Sequence, residues 1–345
     1  MIGTIGAAVL FLGAAPRADP GRDIIAYARL VARYQGGDDG VLQEVADWDP
    51  RSVANAMNEV EHAERTGFVS GPGPVTVRRE FPAAVMMHTE AGLALNWRGD
   101  GAGAFREWKD ASRLAALPAE TDAQARFLRA WYAALGHFFI GSYYSADALP
   151  FLERGAARFP EDVEIAMARA ELYEARGTDT SGLTREERAD LTMAESLYRE
   201  ILGRENAPVE ARLRLGRVLV LTGPSDRALV ELEAVSASKP PDRTTYLSHL
   251  FAGDILRRAS RLSEAEQEFG LAVDRWPAGQ AAGLGRAEIL HLLGDRTGAA
   301  GAVRKATAGG GLGTDPYRTY TFGDRDDQRQ ALEAVKAMVR IRTSR

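Results

Sequence analysis

Residues 211–242, ARLRLGRVLVLTGPSDRALVELEAVSASKPPD, carry the pattern that decides the fold. Leu215-Gly216 is followed by Ala228, Leu232, Val235 and Pro240, and with Gly216 set at position 8 these residues fall at 7, 8, 20, 24, 27 and 32. The same ruler fits upstream, where Leu135-Gly136 leads to Phe139, Ala148, Leu152, Gly155 and Pro160. Downstream, Gly253 leads to Leu256, Ala265, Phe269, Ala272 and Pro277, and Ala287 leads to Leu290, Gly294, Ala299, Val303 and Ala306. Gly92, Leu95, Gly99, Ala104, Trp108 and Ala111 give a further copy near residues 85–118. Ala170, Tyr173 and Gly177 open another, which Ala194, Tyr198 and Ile201 close twelve residues late. The extra residues, around Thr178–Asp190, are expected in the turn between its two helices. Six repeats result: 85–118, 129–162, 163–208, 209–242, 246–279 and 280–313.

Glycine inside a helix costs roughly 1 kcal/mol relative to alanine. Its recurrence at Gly92, Gly136, Gly216 and Gly253 predicts that something approaches the backbone there. The expected neighbour is the small residue at position 20: Ala104, Ala148, Ala228 or Ala265. Large residues at positions 11 and 24 then fill the space between helices. Pro160, Pro240 and Pro277 stop the second helix, because the residue before proline is disfavoured in the α region. The pattern resembles the tetratricopeptide repeat, a 34-residue helix–turn–helix unit. That resemblance implies an all-α, right-handed α-solenoid superhelix of about six repeats with helical caps.

The flanks are less regular. Ile2–Ala15 is apolar or small apart from Thr4, and Met1–Pro16 carries no charge. Fourteen residues are too few for a membrane span and suit the apolar core of a secretory signal. The opposing features are a missing basic start and Pro16 beside the expected cleavage point after Ala15. Residues 1–18 thus read as a signal or apolar N-terminal segment. Exported, periplasmic or extracellular, is preferred to cytoplasmic, with no integral membrane span in the mature chain. Asp23–Gln35 is amphipathic, with Ile24, Tyr27, Ala28, Leu30, Val31 and Tyr34 as its apolar set. Residues 23–65 read as an N-terminal helical cap or degenerate repeat, and the Gly- and Pro-rich 66–79 as a linker. Residues 314–345 hold a capping helix over Asp326–Arg340, with Leu332, Val335 and Val339 on one face.

The chain has 345 residues with 43 Lys+Arg, 48 Asp+Glu and no cysteine. A net charge of −5 gives no basic footprint for nucleic acid. Without cysteine there are no disulfides, thiol nucleophiles or Cys-ligated zinc. Glu59-x-x-His62 lacks the second such motif that a di-metal bundle needs, and reads as a solvated helix face. Gly309–Gly313 precedes no Lys-Ser/Thr and follows no strand, so it is no phosphate loop. No serine elbow or triad is present. The chain is therefore read as a non-enzyme without metal or cofactor.

Members of the tetratricopeptide family mostly bind peptides or partner helices on a concave face lined by positions 2, 5, 9, 12 and 13. Carried onto this sequence, the resemblance gives a partner groove of Leu93, Trp97, His137, Glu171, Glu174, Arg217, Asp254, Arg257 and His291. The groove runs from apolar through acidic to mixed charge, which suits an amphipathic helix or a peptide with some basic residues. The competing reading is that its acids form a solvated helix face. Trp97 has two readings as well: an anchor on the inner surface, or a residue packed on the 119–128 spacer. The expected function is a scaffold for protein–protein interaction. The alternatives are a structural or regulatory subunit of an exported envelope assembly, or an accessory domain to a separately encoded enzyme.

Overall fold

The computed structural model describes residues 20–66, 80–140, 145–178, 184–222, 225–308, 315–323 and 325–340. Among them the regular elements are seventeen helices and no strand. The fold is all-α, a solenoid of helix–turn–helix units like that of tetratricopeptide repeats. The segment 1–18, and the 66–79 linker apart from Thr66, lie outside the described residues. Contacts divide the chain into two compact units, Met1–Gln124 with Lys336–Arg345, and Ala125–Val335.

The first unit holds α1 (Pro20–Gln35), α2 (Val41–Asp47), α3 (Pro50–Thr66), α4 (Phe81–Trp97) and α5 (Gly101–Ala115). Helix α1 buries its whole predicted apolar set, from Ile24 to Tyr34, against α3 and α4. Helix α4 reads FPAAVMMHTEAGLALNW and has no amphipathic stripe. A helix apolar on all sides must be covered on all sides. It pairs with α5 and is flanked by α1 and α2, burying Ala83 to Thr89 without a break.

The second unit is built mainly of consecutive hairpins. Helix α6 (Asp122–Ile140), whose first residues belong to the first unit, meets α7 (Ser145–Arg158) through the clustered rings of Trp131, Tyr132 and Phe151. There follow α8 (Val163–Gly177) with α9 (Arg185–Leu202), α10 (Val209–Thr222) with α11 (Ser225–Ala237), and α12 (Asp242–Arg258) with α13 (Leu262–Arg275). The last pair is α14 (Gln280–Leu292) with α15 (Arg296–Ala308). Each hairpin packs on the next, burying a continuous core from Met167 to Ile289. Two further helices, α16 (Pro316–Phe322) and α17 (Arg325–Ala337), follow the last hairpin.

The glycine rule holds, but its expected partner does not. A Cβ on Gly92 would come within 2.4 Å of Trp108, on Gly136 within 2.6 Å of Leu152, on Gly216 within 2.8 Å of Leu232, and on Gly253 within 2.9 Å of Phe269. In each case the intruder is the large residue at position 24, not the alanine at position 20. The reason is geometric: a long side chain on the second helix reaches over the first, and the missing Cβ makes its seat. Position 15 shows a second regularity. Gly99 and Gly294 take positive φ, 85° and 88°, to turn between paired helices, and Ser260 takes 57° at the same position.

The third repeat departs from its expected layout. Residues 185–190 do not sit in the connection, because α9 begins at Arg185. Thr184 accepts from the Glu187 N–H at 3.2 Å, while the Glu187 carboxylate takes the Thr184 N–H at 2.6 Å. This reciprocal cap starts the helix early, so much of the insertion becomes an extra turn and a half.

Candidate functional site

In the second unit the first helices of four successive hairpins, α6, α8, α10 and α12, each contribute to one polar surface. At its centre is Glu174 on α8, only 5% exposed. Its carboxylate accepts from the Tyr198 hydroxyl at 2.7 Å, the Tyr320 hydroxyl at 2.5 Å and the Arg214 guanidinium at 3.2 Å. Burial of a carboxylate is tolerated only with such compensation. Arg214 on α10 also faces Glu171 at 3.4 Å and Glu210 at 3.2 Å, and Glu171 in turn faces His137 of α6 at 3.4 Å.

Electrostatics follow this geometry. Burial alone would raise the Glu171 carboxyl, but the Arg214 and His137 charges bring it down to about 2. Burial opposes a charge on His137, yet the Glu171 carboxylate beside it wins and raises its pKa above the usual imidazole value. Tyr198 and Tyr320 are held neutral, first by burial and then by the Glu174 charge. Both phenols therefore stay donors.

A cavity of about 680 Å³ opens beside this cluster. His137, Glu171, Glu174, Arg214, Arg217 and Arg243 form its walls on the hairpin side. Tyr317, Tyr320 and Gln328 form the wall opposite in sequence, from α16 and α17. Arg217 lies 5.4 Å from the Phe251 ring centroid.

Of the residues singled out by the repeat register, the structure gathers His137, Glu171, Glu174 and Arg217 around this one cavity. It does not gather the others there. Asp254 accepts from Arg257 at 2.7 Å and Arg258 at 3.0 Å, and Arg257 reaches Glu288 at 3.3 Å, an ion-pair chain between α12 and α14. His291 is exposed near the end of α14. Leu93 and Trp97 belong to the first unit, where Leu93 is half-buried and Trp97 is 89% exposed. Packing of Trp97 on the 119–128 spacer is thereby overturned. Trp97 is the last residue of α4, whose buried residues end at Gly92.

Register reasoning missed Arg214, Tyr198, Tyr246 and the segment Asp315–Tyr320. Arg214 occupies position 6, between groove positions 5 and 9. The segment carried one readable signal: Asp315-Pro316 is an N-cap followed by proline at the first helical position. Asp315 does cap α16, accepting from the Tyr317 N–H at 2.9 Å.

A second buried polar chain lies within the first unit. The Tyr27 hydroxyl and His88 Nε2 are 2.8 Å apart, and His88 Nδ1 is 2.6 Å from Glu107. His88 is fully buried and Glu107 nearly so. Also in this unit, Lys336 bonds Glu90 at 2.7 Å and the Arg340 guanidinium stacks 3.9 Å from the Tyr34 ring centroid. Among the described residues no group of three or more His, Asp or Glu is placed to hold a metal ion. No described helix is long and apolar enough to cross a membrane.

No protein-family model matches the chain, and no curated protein matches it. Solved structures named "MamA MSR-1 C2" and "MamA 41-end from Desulfovibrio magneticus RS-1" align with 52% and 55% of this chain. The alignments take in 95% and 96% of those chains, at 18% and 19% identity. Their TM-scores are 0.39 and 0.42, so the likeness adds nothing to what the helices themselves show.

Proposed function

We propose that this chain is a tetratricopeptide-type scaffold that takes a peptide or partner helix in the concave groove of its second unit. One observation carries the reading. Four residues at the family's groove positions, His137, Glu171, Glu174 and Arg217, converge from three successive first helices on one cavity. A solvated helix face would leave Glu174 in water, yet it is buried with three donors. The groove offers carboxylates and arginines side by side, which favours a partner of mixed charge. Crosslinking during affinity purification from the native cell tests the reading. Crosslinks from a partner to α6, α8 and α10 support it; crosslinks confined to α7, α9 and α11 overturn it.

A second reading is a subunit that makes its contacts through the end of the array. Leu292 (55%), Leu293 (47%) and Val303 (41%) of the last hairpin are exposed. Export belongs to the same proposal and rests on the apolar Ile2–Ala15 segment. N-terminal sequencing of the native protein should find a mature chain starting near Pro16–Asp19, outside the cytoplasm. An intact Met1 in a cytosolic fraction removes export.

A further inference from the structure

The cavity of the second unit is bordered by a segment of the chain itself. Asp315–Gly323 contacts the first helices of four hairpins. Tyr320 donates to Glu174 of α8 at 2.5 Å, and its ring lies 4.5 Å from the Arg214 guanidinium of α10 and 5.0 Å, edge on, from Phe251 of α12. The Tyr317 ring centroid lies 6.1 Å from that of Phe251, also edge on. Asp315 accepts from the Tyr246 hydroxyl of α12 at 2.9 Å and from the Ala281 N–H of α14 at 2.7 Å. Just beyond the segment, Gln328 donates to the His137 carbonyl of α6 at 3.2 Å.

These contacts are not those of an end cap. A cap covers the apolar face of the last repeat. Here Leu292, Leu293 and Val303 of the last hairpin are left exposed, while the segment bonds that hairpin at the Ala281 N–H and reaches back to Arg214 and Glu174, two and three hairpins upstream. Its chemistry is selective. Glu174 needs a hydroxyl donor, Arg214 and Phe251 need a ring, and the Tyr246 hydroxyl and the Ala281 N–H need a carboxylate. The open cavity alongside shows that the segment does not fill the groove.

We infer that this groove recognises a short helical segment with an acidic N-cap, a proline and two tyrosines one turn apart, and that residues 315–323 occupy it in cis. The partner's segment carries the same chemistry and competes with the internal copy. The inference rests on the groove reading above and names its ligand. Covalent attachment gives the internal copy an effective concentration near the millimolar range. A partner therefore succeeds by multivalent contact, or once the internal segment is released.

The test uses the full chain and a labelled peptide of residues 315–323, DPYRTYTFG, with a Tyr-to-Ala version of the peptide as control. The variant Tyr317→Ala/Tyr320→Ala removes the internal segment's contacts with Glu174, Arg214 and Phe251. It should bind the peptide at least about tenfold more tightly than the wild type, as removal of a tethered competitor requires. Adding Glu174→Gln should weaken that capture again. A variant with intact helical signal that takes no peptide, or that takes the control equally well, overturns the inference. Should the double variant lose its helical signal, the wild type is titrated with peptide to millimolar concentration while hydrogen exchange of amides 317–323 is followed. Faster exchange supports displacement, and unchanged exchange overturns it. The two readings fail separately. A native partner crosslinked to α6, α8 and α10 that leaves bound peptide undisturbed keeps the groove and removes this ligand. Peptide capture with partner crosslinks confined to the second helices does the reverse.

Discussion

Two buried carboxylates, Glu107 in the first unit and Glu174 in the second, solve one problem in different ways. Glu107 is met by His88, whose other nitrogen is met by Tyr27, and all three belong to helices that make up the first unit's core. Glu174 is met by Tyr198 from its own hairpin and Arg214 from the next, but its third donor, Tyr320, lies 146 residues along the chain. The first cluster is enclosed; the second borders a cavity of about 680 Å³. A buried polar group satisfied by permanent neighbours specifies a core. One satisfied by a separate segment depends on that segment staying in place.

Breaking the enclosed cluster should give the largest effect. His88→Leu leaves the Glu107 carboxylate and the Tyr27 hydroxyl buried and unpaired, and should cost about 3–5 kcal/mol in urea unfolding. Peptide capture by the folded fraction should not change. Comparable losses of stability and capture would mean that the two clusters are not independent.

Packing of the hairpins that carry Glu174 sharpens the comparison. Gly216→Leu forces a side chain into the space of Leu232 and should destabilise by roughly 1–3 kcal/mol. The exposed control Glu233→Leu should stay within about 0.5 kcal/mol. Equal urea midpoints would show that the seat beneath Leu232 is not tight.

Acidity separates the clusters in another way. Because the Glu171 carboxyl is lowered from 4.5 to about 2, its contribution is present above pH 4.5 and lost as pH falls toward 2. His137 is raised above 6.5, so its contribution is full below that value and lost as pH rises through its folded-state pKa. Thermal midpoints against pH should fall on both sides of a plateau between about pH 4.5 and 6.5. In Glu171→Gln the acid limb should flatten and the upper limb should shrink. An unchanged profile would detach the Glu171–His137 pair from stability.

Trp97→Ala should have the smallest effect on folding, within about 0.5 kcal/mol, because the side chain is 89% exposed. If Trp97 anchors a partner, the same variant should weaken capture by roughly 2 kcal/mol. A clear loss of thermal stability would mean that Trp97 is covered in solution, and would remove it from the exposed surface.

Much of this was legible because repeats write the same physics several times. Gly92, Gly136, Gly216 and Gly253 marked the close approach of paired helices, and the apolar set of Asp23–Gln35 marked its buried face. The partner of those glycines was misjudged, because sequence spacing gives the position of a neighbour but not the reach of its side chain. The lining of the cavity was half legible for a related reason. His137, Glu171, Glu174 and Arg217 stand at positions that the family resemblance singles out, whereas Arg214 lies off them.

By itself, then, the sequence determined helix, hairpin and the faces that meet, since these depend on local spacing, glycine and proline. Only the tertiary structure decided what lies beside the cavity. Tyr320 reaches Glu174 across 146 residues, and no periodicity links a lone segment to a distant carboxylate. That pairing arises because a buried charge must find its donors, and the fold brings these within reach.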